Sequence, residues 1–103
     1  MIRDFAQVMA ALAAERGVGR GRMFGAEGLK IGKQVFAMEV KGKLVVKVSE
    51  ARAKELRDSG KAQAFDPGHG RLLKQWVAVS PRADIDWVAL AREALVFVGA
   101  QTR

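Results

Sequence analysis

Apolar residues recur in two rhythms along this chain: every third or fourth position near its ends, every second position through much of its middle. Ile2, Phe5, Met9 and Leu12 fall at helical spacing, with alanines widening the stripe. This predicts an amphipathic helix from about Ile2 to Glu15, ended by Gly17. Residues 17–22 (Gly-Val-Gly-Arg-Gly-Arg) read as a flexible basic connector, because glycine at alternate positions tolerates unusual backbone angles. Three strands are predicted next. Met23–Lys30 leads through a turn around Ile31–Gln34 into Val35–Val40, and Lys41-Gly42 turns the chain into Lys43–Val48. Phe36, Met38 and Val40 are expected to share one face of the second strand. Leu44, Val46 and Val48 share one face of the third, leaving Lys43, Val45 and Lys47 on the other. Such alternation marks an antiparallel sheet with one face packed and one less covered.

Ser49 is a good N-cap for a second helix over Glu50–Asp58, stopped by Gly60. Pro67, Gly68 and Gly70 mark a loop within residues 61–71, with a weak strand around Ala62–Phe65. Leu73–Val79 is a further strand, ended by Ser80-Pro81. Asp84 or Asp86 then caps a last helix that runs to about Gly99. Between Trp87 and Val98 only Arg92 and Glu93 are charged, so this helix is apolar nearly all round. A helix of that kind needs cover on more than one side. A second copy of the chain is a natural cover, which makes a homodimer the expectation; otherwise Ala89, Ala91 and Ala94 face solvent.

The elements add up to an α+β domain of two layers, an antiparallel sheet packed by helices in the order α-β-β-β-α-β-β-α, spanning residues 1–103. Half the residues are hydrophobic, and a chain of 103 residues supports one core. No apolar run approaches the roughly 20 residues of a membrane span. Asp4, Glu15 and Arg16 make the amino terminus a helix rather than a secretory signal. The expectation is a cytoplasmic protein without membrane contact. The chain has no cysteine, no tyrosine and one histidine. Disulfides, thiolate metal sites and cysteine nucleophiles are therefore excluded, and no set remains for the usual zinc or histidine-based catalytic sites. A non-enzymatic role with no cofactor, no metal and no catalytic residue is the reading that follows.

Charge changes the picture. From Arg16 to Lys47 the chain carries eight basic residues against two acids, Glu27 and Glu39, which is net +6 of its total +7. A field concentrated in one structural unit points to an anionic partner, a nucleic acid or another polyanion. The candidate phosphate contacts are Arg16, Arg20, Arg22, Lys30, Lys33, Lys43 and Lys47. Trp76 is expected on one strand face with Lys74, where it could stack on a base, although packing in a core is the commoner fate of such a residue. Trp87 reads as packing. The alternative for the basic region is a solvated sheet face whose lysines discourage edge-to-edge aggregation.

A set of residues in order also resembles a known family. Arg22-Met23-Phe24-Gly25, Gly28-Leu29, Val35-Phe36-Ala37, Gly42-Lys43-Leu44, Lys47-Val48, Leu56, Gly60, Phe65, Trp76-Val77 and Pro81 together resemble the TfoX N-terminal domain family, over about residues 3 to 98. The resemblance implies a two-layer α+β domain similar in outline to YjbR-like proteins and type III secretion chaperones. It also implies a regulatory role of the competence type and supplies no catalytic residue.

The remaining motifs are weaker. His69, between Gly68 and Gly70, has only Asp66 as a nearby partner for general-base work. Gly17-x-Gly19 lacks the third glycine of a dinucleotide fingerprint, and Gly28 to Lys33 is one residue short of a phosphate loop. Arg22 can hold an anion or can fix the first helix to the sheet through a carboxylate or carbonyl. In the middle helix Arg52, Lys54 and Arg57 are nearly balanced by Glu50, Glu55 and Asp58, so base-specific readout by a recognition helix is not expected. Two roles remain: weak, sequence-independent association with nucleic acid in transcription or competence-type regulation, or a chaperone-like protein-interaction module that binds no nucleic acid.

Overall fold

The computed structural model describes residues 3–23, 25–66 and 73–101. Helix α1 (Phe5–Leu12) begins where Asp4, in extended conformation, accepts a hydrogen bond at Oδ1 from the Ala6 N–H at 2.9 Å. This cap starts the helix at Phe5, later than the hydrophobic stripe alone suggests. Ile2 lies outside the described residues. The next four elements form a meander of two-residue hairpins: β1 (Val18–Met23), β2 (Ala26–Ile31), β3 (Gln34–Val40) and β4 (Lys43–Lys47). Helix α2 (Glu50–Asp58) follows, then β5 (Gln63–Phe65), β6 (Leu73–Val79) and α3 (Trp87–Gln101). The sheet has six antiparallel strands in the order β1-β2-β3-β4-β6-β5.

The architecture is thus the expected α+β sheet-and-helix domain, with one strand more before α2 than the expected order contains. The connector expected over residues 17–22 is itself β1, an edge strand paired along its length with β2. The strand expected over Met23–Lys30 is broken at its start: Met23 ends β1, and Gly25, at φ +75°, turns the chain into β2. A glycine-arginine run carries no hydrophobic alternation, so only pairing with β2 makes it a strand. Gly19 and Gly21 leave room on β1 for the stem of Lys30. A Cβ at Gly21 would lie 3.1 Å from Lys30 Cδ.

A second difference is a bulge. Leu29 pairs with Ala37 but Lys30 pairs with Val35, so Phe36 has no partner on β2. The extra residue turns Phe36 toward the helices, beside Ala37, whereas Met38 and Val40 belong to the opposite face. The expected shared face of Phe36, Met38 and Val40 is therefore split.

The helices cover one side of the sheet. Leu44, Val46 and Val48 project into this main core, as their alternation requires, against Leu12, Leu56, Trp87, Leu90 and Val98. Ser49 caps α2 by accepting from the Arg52 N–H at 3.1 Å. Past Gly60 the Lys61 N–H donates to the Leu56 carbonyl and the Gly60 N–H to that of Arg57, which closes the helix end. Asp86, not Asp84, caps α3, its Oδ1 accepting from the Val88 N–H at 3.0 Å. Helix α3 finds most of its cover in its own chain. Ala91 and Ala94 are buried against the core while Ala89 is exposed, and among the described residues Val96 is the only exposed large apolar side chain. The apolar character of α3 therefore does not by itself require a second chain.

The opposite face is not bare. Met38, Val45, Phe65, Trp76 and Ala78 form a second, smaller cluster. Met23 and Ala26, which flank the β1–β2 turn, pack onto it together with Val35, Val40 and Leu73. At Gly28 strand β2 rides so close over β3 that an added Cβ would lie 2.4 Å from the Ala37 carbonyl oxygen. No described helix is long and apolar enough to cross a membrane.

Candidate functional site

The second cluster is the floor of the site. Met23, Val35 and Trp76 line a cleft of about 390 Å³ on this face. Its remaining lining is polar or cationic: Arg22 from β1, Lys33 from the β2–β3 turn, Gln34 from β3 and Lys47 from β4. No carboxylate lines it. Three hairpin segments far apart in the chain thus deliver three cations to one concavity over an apolar floor. Among the described residues Arg22, Lys33 and Lys47 take part in no ion pair. Unneutralised charges beside a low-dielectric wall attract anions more strongly than the same charges on an open surface.

The cleft does not end there. Lys47 and Trp76 also line a second cleft of about 340 Å³, walled further by Leu73, Lys74, Gln75 and Glu50. Glu50 and Lys74 in turn line a third, of about 470 Å³, with Ala51, Lys54 and Arg57. The three form one broken groove from the β2–β3 turn to the exposed side of α2. Six cations line it, with Glu50 the sole acid among the lining residues. Lys74 lies 3.9 Å from Glu50, and Lys54 is held by Asp58 at 2.6 Å. The hydrogen bond and charge of Lys54 hold the Asp58 carboxyl below its ordinary value.

The expected site residues divide between this groove and other places. Arg22, Lys33, Lys47, Lys74 and Trp76 are brought together. Trp76 contributes as floor rather than as an open stacking platform, being only 6 % exposed. Arg22 makes no structural clamp among the described residues; although Glu27 is its partner in register, it is Arg20 that reaches Glu27, at 3.7 Å. Arg20 instead lines a separate groove of about 250 Å³ between α1 and β1. Lys30 lies across the glycines of β1, and Lys43, at the other end of β4 from Lys47, donates to Gln63 Oε1 at 3.2 Å. Arg16 is exposed in the α1–β1 connection and lines none of these clefts. His69 lies outside the described residues. Among the described residues no group of His, Asp and Glu side chains could hold a metal ion.

Sequence reasoning passed over Lys54 and Arg57, because the acids of α2 balance its bases along the chain. Around the helix the balance is partial: Asp58 stays paired with Lys54 and Glu50 lines the same cleft. Glu55 turns away to Arg52, which also binds Glu93 at 2.9 Å. Burial, which disfavours the charged guanidinium, is outweighed there by the hydrogen bonds to Glu93 and Glu55, so Arg52 stays firmly cationic. Lys54 and Arg57, three residues apart, are left together on the groove side. That spacing was the available signal. The chain matches no protein-family model and no curated protein.

Proposed function

We propose that this is a non-enzymatic binding domain that holds the phosphate backbone of nucleic acid in the groove running from Lys33 and Arg22 past Lys47 and Lys74 to Arg57. One observation carries the reading: Arg22, Lys33 and Lys47, drawn from separate hairpin segments, line one cleft free of carboxylates. Cations so placed, with no partner of their own among the described residues, suit contact with successive phosphates. The cations of the lining suit phosphate, which carries no sequence information, so binding is independent of base sequence. A regulatory role is consistent with the ordered residues that resemble the TfoX N-terminal domain family.

The test is fluorescence anisotropy with labelled duplex and single-stranded oligonucleotides between about 50 and 200 mM salt, where each phosphate contact adds roughly −0.9 (duplex) or −0.7 (single strand) to the log–log slope. A slope of about −2 or steeper on at least one of the two is expected. The double variant K33E/K47E should weaken binding at least roughly tenfold and flatten the slope by about two contacts. The control K43E, whose lysine lines none of the three groove clefts, should leave the slope unchanged. Unaltered binding by a folded K33E/K47E protein, or no binding by the wild type at low salt, refutes the assignment.

A further inference from the structure

Strand β1 ends the sheet, and among the described residues no strand pairs with its outer edge. The two-residue turn between Met23 and Ala26 fixes which backbone groups that edge presents. In such a hairpin the closing pair is hydrogen-bonded and every second pair after it likewise, so Met23, Gly21 and Gly19 bond to β2. The N–H and C=O groups of Val18, Arg20 and Arg22 point the other way. The Val18 N–H accordingly donates to the Glu15 carbonyl, at 3.2 Å. Those of Arg20 and Arg22 lie along the open edge, a row of donors and acceptors that an extended chain can continue.

Beside this edge lies the groove of about 250 Å³ between α1 and β1. Its lining is apolar apart from Arg20: Met9, Ala10 and Ala13 come from the helix, Val18 and Leu29 from the sheet. Val18 and Arg20, two residues apart, stand on the same sheet face, so the cation and the apolar hollow are neighbours along one strand. From Arg16 to Met23 the chain carries three arginines and no acid, and Glu15 just before them is held by Arg92 at 3.5 Å. The Arg20 side chain is 77 % exposed and lies 3.7 Å from Glu27, an open surface pair that a better-placed carboxylate can replace.

From this edge and its groove we infer that β1 is a docking strand for an extended acidic peptide, which adds a strand beside Arg20 and Arg22, sets a carboxylate on Arg20 and lodges one aliphatic side chain in the groove beside α1. Charge selects this occupant. A second copy of the chain, pairing β1 with β1 so that both sheets keep their packed faces on one side, sets arginine against arginine, and like charges directly opposite destabilise a sheet. A nucleic-acid strand offers phosphates but no alternating amide donors and carbonyl acceptors to continue the ladder. An acidic peptide supplies both. This surface is separate from the cleft of Lys33 and Lys47 and does not rest on the nucleic-acid reading.

The probe is the labelled peptide Glu-Val-Glu-Thr-Leu-Thr-Glu-Val-Glu, whose leucine and glutamates share one face when extended. Its binding to the intact chain is followed by fluorescence anisotropy at about 150 mM salt. Saturable binding is expected, at least about tenfold weaker when lysine replaces the glutamates. R20A should weaken it about threefold to tenfold. R20P also removes an outward N–H while sparing the β1–β2 ladder, and should cost at least about threefold more. Alanine for the peptide's leucine should cost at least about threefold. N-methylation of one alternate set of peptide amides should abolish binding, with the other set tolerant, because only one set faces β1. K33E/K47E should stay within about twofold of wild type, since those lysines line the other groove. Equal effects of the two N-methyl sets overturn the strand addition. Loss of binding in K33E/K47E with R20A unaffected places the peptide in the other groove and overturns the site. No binding by the wild type overturns the inference and leaves the nucleic-acid reading standing.

Discussion

Gly28→Ala is the substitution to which the fold and the site should respond together. The position carries no left-handed backbone angle, so conformational strain does not enter. The obstacle is space: the new methyl would lie 2.4 Å from the Ala37 carbonyl oxygen, 2.9 Å from Met38 Cβ and 3.2 Å from Met38 Cα. Two of these atoms are backbone and cannot swing aside. An ordinary carbon–oxygen contact is about 3.3–3.6 Å, so β2 must lift from β3 by roughly 1 Å. That takes the hydrogen bonds nearest Gly28 from about 2.9 Å to well beyond hydrogen-bonding range. Two such bonds at about 1 kcal/mol each, with overpacking of about 1–3 kcal/mol, outweigh the roughly 0.5–1 kcal/mol by which alanine is preferred to glycine in a strand. The net destabilisation is about 2–4 kcal/mol, a large share of the 5–15 kcal/mol typical of a domain.

Urea denaturation followed by tryptophan fluorescence measures this directly as a lowered midpoint at constant m-value, and a thermal scan should lose roughly 10–30 °C. Gly21→Ala is the comparison, since its methyl meets only the flexible Lys30 stem at 3.1 Å. It should shift stability by less than about 1 kcal/mol. Because Gly28 holds β2 close over β3 below the β1–β2 turn, G28A should also carry Arg22 away from Lys33 and Lys47 and weaken nucleic-acid binding. A G28A protein as stable as wild type, or no less stable than G21A, refutes the close-approach argument.

Two further outcomes follow from single residues. Glu50→Gln removes the only acid lining the groove and frees Lys74 from a contact at 3.9 Å. At low salt it should tighten nucleic-acid binding about twofold to fivefold, while loss of an acid from the first turn of α2 costs about 0.3–1 kcal/mol of stability; unchanged or weaker affinity by anisotropy counts against the groove. Lys41→Asn relieves a lysine held at φ +53° in the Lys41-Gly42 turn. It should raise the urea midpoint by the equivalent of about 0.5–1 kcal/mol without altering binding, and a lowered midpoint is the contrary result.

Locally encoded features were legible. Ser49 and Gly60 bound α2 because a side-chain oxygen and a chain reversal act over three or four residues. Leu44, Val46 and Val48 declared the packed face of β4 because strand periodicity is a property of neighbours in sequence. The features missed depend on pairing across strands, not on the pattern within one strand. β1 is a strand only because β2 lies beside it, and Phe36 changes faces only because β2 and β3 slip by a residue. Its glycines and arginines state neither fact.

Charge shows the same division. The excess of basic residues from Arg16 to Lys47, and the scarcity of side chains suited to catalysis, belong to composition and need no fold. Which cations act together was decided by tertiary structure. Folding of the β1–β2 turn onto the second cluster brings Arg22 to Lys33 and Lys47, whereas Arg20, two residues earlier, goes to Glu27 and the α1 groove. The helical turn of α2 sends Glu55 to Arg52, while Asp58 and Glu50 stay beside Lys54 and Arg57 on the groove side. Electrostatic attraction depends on distance in space, and in a curled sheet residues distant in sequence become neighbours while adjacent ones face apart.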